Sequence, residues 1–144
     1  MDDDDYVERL VRSADPADTA RKLVAVAFQR ELAQLIASGR VAEGIDDLLA
    51  KFISDTYRQH DPHLADGRES LAQFFRGAAA AGVDLWPPMP ICVMNDGDVV
   101  ALLLQGVNDR GLERFIPTMF RVRDGVMTEH WSAAAPPPPA APTR

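Results

Sequence analysis

Apolar residues in the first half of the chain recur with a helical period. Val24, Phe28, Leu32 and Leu35/Ile36 fall at three- and four-residue spacing, which predicts a helix capped by Asp18 or Thr19 and ended at Gly39. Ile45, Leu48, Leu49, Phe52 and Ile53 stand at i, i+3, i+4, i+7 and i+8, one face of a second helix. Pro62 disfavours helical geometry at Asp61, so the pattern breaks over residues 57–63. Asp66-Gly67-Arg68-Glu69 has the form of a capping box, opening a third helix with Leu71, Phe74, Phe75 and Ala78 inward and a stop at Gly82. Beyond Trp86-Pro87-Pro88-Met89-Pro90 the period changes. Residues 91–94 and 99–105 are β-rich and joined by Asn95-Asp96-Gly97-Asp98; 113–122 and 126–133 are joined by Asp124-Gly125, a specific hairpin signal. Helices followed by antiparallel hairpins predict an α+β fold whose sheet curls around a pocket.

The ends lack such patterning. Residues 1–14 begin with an acidic run and are expected to be flexible; 15–134 form the folded domain; 135–144 are a Pro/Ala-rich tail expected to be disordered. A length of 144 residues suits one domain. No apolar run reaches membrane-spanning length and no signal peptide opens the chain, so neither membrane insertion nor secretion is expected. Cys92 is the only cysteine and forms no internal disulfide, in keeping with a cytoplasmic location. The net charge is −7, with Asp2 to Asp5 supplying four of the negatives, and no basic stripe marks a nucleic-acid surface.

Phosphate loops, dinucleotide fingerprints, nucleophile elbows and zinc motifs are all missing, so no cofactor is expected. His60 and His63 are separated by Pro62, which breaks the helix that would align two ligands, and no metal is expected. Acid–base chemistry remains. His60 takes a proton near neutral pH with little tuning, and Gln59 and Asp61 flank it. The plain alternative is a half-exposed loop histidine. In the last strand, alternation puts His130 and Ser132 on one face and Glu129 and Trp131 on the other, with Arg121 on the neighbouring strand able to pair with Glu129. Trp131 reads first as a core plug and second as a substrate platform.

Tyr57-x-Gln59-His60-Asp61-Pro62, then Asp66-Gly67-Arg68-Glu69 and Phe74-Phe75, resembles the Y-x-Q-H-N-P…D-G-K-E…F-F pattern of SnoaL-like proteins. Phe120-Arg121-Val122-x-Asp124-Gly125-x-Met127-x-Glu129-His130-Trp131 is similar to their F-R-V-x-D-G-K-I-x-E-H-W-D close. The resemblance covers about residues 18–134 and implies the cone of the nuclear-transport-factor-2-like superfamily: three helices packed on a curved antiparallel sheet that encloses a pocket. It implies a cofactor-independent cyclase or isomerase, acting on a polyketide-like apolar carbonyl or polyene intermediate of natural-product biosynthesis. Ring closure then follows from pocket acid/base chemistry, from conformational templating, or from both. On that model His60 is the base, Asp61 orients it, and Tyr57 and His130 donate to the developing oxyanion. Phe74, Trp86, Met94, Phe120, Arg121, Trp131 and Ser132 would contact substrate. Two positions depart from the family pattern: Ser132 stands where Asp is usual, which removes a carboxylate, and Asp61 stands where Asn is usual.

The same cone also serves non-catalytic domains that bind lipophilic ligands or dimerise, and the missing carboxylate favours that alternative. A third possibility is an epoxide hydrolase, which needs Asp55, Asp61 and Arg121 to converge. Val99 to Leu104 is apolar on both alternating faces, so a one-layer sheet would expose an apolar patch; a homodimer through the outer sheet face is expected.

Overall fold

The computed structural model describes residues 3–107 and 110–132, and the Pro/Ala-rich tail lies outside them. Four helices precede and interleave with five strands: α1 (Asp3–Val11), α2 (Pro16–Ala37), α3 (Val41–Phe52), β1 (Ile53–Gln59), α4 (Arg68–Ala80), β2 (Met89–Asp96), β3 (Val99–Val107), β4 (Glu113–Arg123) and β5 (Val126–Ser132). The expected α+β architecture holds, with a curved, unclosed sheet.

Two elements go beyond the sequence reading. The segment expected to be flexible contains α1. Asp3, Asp4 and Asp5 repel one another in an open chain, but in a first helical turn they complement the partial positive charge of the N-terminus. Leu10 and Val11 then bury themselves in the core, and Tyr6 donates its phenol to the Pro90 carbonyl. The second is β1, which continues directly from α3. It carries few apolar side chains, and only Ile53, Tyr57 and Gln59 are buried along it.

Capping differs as well. Asp15 caps α2, accepting from Ala17 N–H at 2.8 Å, and Pro16 occupies the first turn, where its missing N–H costs nothing. The capping box at residues 66–69 does not form. Asp66 accepts from Gln59 N–H at 2.7 Å instead, and α4 starts at Gly67 without a side-chain cap. The inward face of α4 is consequently Leu71, Ala72, Phe75 and Ala79, and Phe74 is exposed.

The sheet order is β1-β5-β4-β3-β2, antiparallel except that β1 runs parallel to β5. Asp124 and Gly125, both at positive φ, make the tight β4–β5 turn. One face packs on the helices through Val100, Leu102, Leu104, Phe120 and Val122. Phe28 stands edge-on to both Phe52 and Phe120, at 5.9 and 6.0 Å, so aromatic rings fill the space between helices and sheet. The opposite face has no layer over it among the described residues. There Met94, Met119 and Phe115 are exposed.

Candidate functional site

Register decides which side chains meet. His60 follows Gln59 at the end of β1, and Gln59 pairs with His130 on β5. Residues therefore alternate between the two faces, and the two histidine rings end on opposite sides of the sheet.

On the helix side His130 is half-buried and fully hydrogen-bonded. Nδ1 is 2.8 Å from Gln59 Oε1 and Nε2 is 2.7 Å from Thr118 Oγ1. Its ring stacks between Phe120 at 4.7 Å and Tyr57 at 6.3 Å. Burial is the largest influence on its protonation and pushes the imidazole down to about 4, against a smaller opposing pull from Asp61. The ring is therefore neutral at pH 7. Gln59 Oε1 only accepts, so Nδ1 carries the proton and Nε2 receives the Thr118 hydroxyl. Every polar atom of this imidazole is in use inside a packed core. Burial also raises the Tyr57 phenol far above its ordinary value.

On the open side His60 has a different environment. Its ring lies parallel to Trp131 at 4.9 Å, with 2° between the planes. Nε2 is 3.0 Å from Glu129 Oε1, and the side chain is 33% exposed. Glu129 is held in turn by Arg121 Nε at 3.1 Å; Arg121 reaches Asp98 at 2.6 Å, and Arg123 reaches the other Asp98 oxygen at 2.8 Å. The hydrogen bond from His60 is the chief reason the Glu129 carboxyl sits below its ordinary value, with Arg121 adding to it. An ionised Glu129 only accepts. Neutral His60 therefore carries its proton on Nε2 and presents a free lone pair on Nδ1.

Beside this pair runs a hollow of about 590 Å³. His60, Cys92, Met94, Ala101, Leu103, Pro117, Met119, Trp131 and Ser132 are among its lining residues. The strand pairs Cys92–Leu103, Met94–Ala101, Leu103–Pro117 and Met119–Trp131 place most of them on one face. The walls are aliphatic, thioether and indole, with the charged chain from Asp98 to His60 along one end.

The expected site residues thus divide. His60, Met94, Trp131 and Ser132 share the open-face hollow, and Arg121 reaches it through Glu129. Tyr57 and Phe120 lie on the other side of the sheet within the core, and the half-buried His130 ring stacks on both. Asp61 is also buried; its carboxylate accepts from His63 N–H at 2.8 Å and shapes the turn after β1, not the His60 ring. Phe74 packs edge-on against Phe75 on α4. Trp86 lies over Gly106 with the Arg114 guanidinium 5.2 Å from its ring. The relay of Asp55, Asp61 and Arg121 is not assembled: Arg121 is bonded to Asp98 and Glu129, and Asp55 is exposed on β1. Among the described residues no group of three or more His, Cys, Asp or Glu is arranged to hold a metal ion. Glu129 and Thr118 were not expected as site residues, and Gln59 was read only as a neighbour able to orient His60. Glu129 had a sequence signal, since alternation places it beside Trp131; Thr118 is defined only by tertiary contacts.

No family sequence model matches the chain, and no curated protein matches it. Solved structures do. A protein from Jannaschia sp. CCS1 assigned as a SnoaL-like polyketide cyclase aligns with a TM-score of 0.55 at 19% identity, over 84% of this chain and 90% of that one. One from Bacillus cereus ATCC 10987, assigned as a polyketide cyclase, gives 0.54 at 21% identity over 83% and 80%. A de novo designed protein with a curved β-sheet gives 0.51 at 19% over 74% and 88%. What the chain has in common with these proteins is the fold, that of nuclear-transport-factor-2-like and SnoaL-like proteins. A designed protein shares it, so function has to be argued from the site.

Proposed function

We propose that the open-face hollow binds an apolar, polyketide-like carbonyl compound, and that His60 acts there as a cofactor-independent general base. One observation carries this reading: His60 is bonded to a carboxylate at Nε2, stacked on Trp131, and lines an apolar hollow of about 590 Å³. A base positioned by a carboxylate is the general arrangement for proton transfer near neutral pH. Nδ1 removes a proton from carbon α to a carbonyl, giving an enolate and an imidazolium whose charge Glu129 balances. The enolate carbon then attacks a second carbonyl in the same molecule, closing a ring. Alternatively, the proton returns at another carbon and the product is an isomer. In either case the imidazolium gives its proton back, so the protein ends unchanged. Apolar walls fold a flexible chain toward closure and lower the entropic part of the barrier. The assignment of two fold neighbours as polyketide cyclases agrees with this substrate class.

The test needs no knowledge of the natural substrate. A panel of apolar monoketones, whose α protons exchange slowly in heavy water unaided, should gain deuterium well above the solvent background with the wild-type chain and only at background with His60→Ala. Tight binding with no exchange and no product would overturn the catalytic reading and leave a lipophilic-ligand-binding domain.

A second reading is favoured by exposed apolar groups on the same face. Met94, Met119 and Phe115 are 62%, 42% and 53% exposed on strands with no layer over them. A second copy of the chain seated there would cover them and occupy the hollow. Light scattering at micromolar concentration separates the readings: a monomer that binds ligand supports the first, and a homodimer that binds none supports the second.

A further inference from the structure

The two histidines are linked through Gln59, a residue with no role in the proposed chemistry. Its Oε1 accepts from the His130 ring at 2.8 Å and from Asp61 N–H at 3.3 Å. Between those anchors, His60 N–H donates to the His130 carbonyl at 3.0 Å. From below, Asp66 holds Gln59 N–H at 2.7 Å, and Gly67 N–H binds the Tyr57 carbonyl at 2.7 Å. The backbone on both sides of His60 is therefore tied down from the buried face, although its ring stands on the open one. Both bonds that tie the Gln59 side chain to His130 and to Asp61 N–H are made by its oxygen.

We propose that Gln59 is the positioning residue for His60: its buried Oε1, held between the His130 ring and Asp61 N–H, sets the backbone that aims the His60 ring at Trp131 and Glu129. The inference rests on the reading of His60 as the base, but its consequence is geometric. With the backbone fixed, two side-chain torsions place Nε2 on Glu129 and leave Nδ1 facing the hollow. With Oε1 removed, Gln59 N–H and His60 N–H keep their partners, but the ties from residue 59 to the His130 ring and to Asp61 N–H are lost. His60 then samples orientations in which Glu129 no longer selects the tautomer.

The experiment is a long-range ¹⁵N–¹H correlation spectrum of the histidine ring nitrogens, recorded on the full chain at a pH high enough that the rings are neutral. Wild type should show His60 as a single form with the proton on Nε2. Gln59→Met keeps the shape and removes the acceptor; His60 should become a mixture of both tautomers, approaching the spectrum of an unconstrained histidine. Gln59→Glu keeps the accepting oxygen and replaces only the side-chain nitrogen. There His60 should stay in one form while the new carboxylate favours the protonated form of His130, which takes its extra proton from solvent. A folded Gln59→Met chain with His60 still a single Nε2–H form would overturn the proposal. So would scrambling of His60 in a folded Gln59→Glu chain, which keeps the test decisive if Gln59→Met fails to fold. Because the readout is ring state, missing deuterium exchange in wild type would sink the catalytic reading without touching this result.

Discussion

His60 and His130 are joined by a backbone hydrogen bond of 3.0 Å, yet one ring is locked inside the core and the other stands on the open face. The same residue type is thereby given two different tasks. A neutral, saturated imidazole serves as a core polar group, and a carboxylate-oriented imidazole with a free nitrogen is available for proton transfer.

The buried ring makes stability depend on acid. Its folded pKa of about 4 lies below the ordinary 6.5, so between those values the unfolded chain binds the extra proton and the folded chain does not. Stability should be full above about pH 6.5, decline as pH falls towards 4, and lose no more on this account below it. The loss from this one group should be on the order of 3 kcal/mol. Urea unfolding at several pH values checks it, and His130→Asn should flatten the slope over this window whatever it does to overall stability.

Glu129→Gln retains an acceptor for the His60 ring but removes the charge that balances the imidazolium. Deuterium exchange should fall by about a hundredfold. Circular dichroism should remain that of the folded chain, since Glu129 is held at a partly exposed edge. Exchange equal to wild type would remove Glu129 from the mechanism.

Met119 lies across from Trp131 and next to Ala101 in the floor of the hollow. Met119→Glu places a carboxylate among apolar walls and should abolish binding of lipophilic probes while the chain stays folded. If the wild-type chain is instead a dimer that this change dissociates, with no probe bound before or after, the face belongs to a second copy.

Trp86 offers a control away from the hollow. A Cβ on Gly106 would lie 3.3 Å from the Trp86 Cβ, tighter than ordinary contact, and Trp86 holds a positive φ. Gly106→Ala should cost about 1 kcal/mol by overpacking. It should shift Trp86 fluorescence and leave deuterium exchange unchanged. Lost exchange would mean that the 81–88 segment communicates with His60.

Strong periodicity made α2, α3 and both hairpins legible, since each buries one continuous apolar stripe or carries a turn that needs positive φ. β1 was not legible because it has one aromatic and otherwise mostly polar side chains, and its pairing partner lies near the other end of the chain. The acidic start of α1 had the composition of a solvated tail; what makes it a helix is the surface that Leu10 and Val11 find on the fold. At the site, alternation separated Glu129 and Trp131 from His130, but Ser132, expected on the His130 face, lines the open hollow with Trp131 at the end of β5. His60 could not be assigned a face in advance, because that requires the register between β1 and β5, and no local pattern encodes a parallel pairing of distant strands.

That pairing has a consequence for how the molecule is made. β1 has a single neighbour in the sheet, and it is the last strand; His60 and Glu129 are 69 residues apart. During synthesis the two hairpin strands β2 and β3 can close as soon as they emerge, whereas β1 must wait for nearly the whole domain to leave the ribosome. An unfinished chain therefore exposes a strand edge but possesses no oriented His60, and the pairing of β1 with β5 is also the step that brings His60 to Glu129.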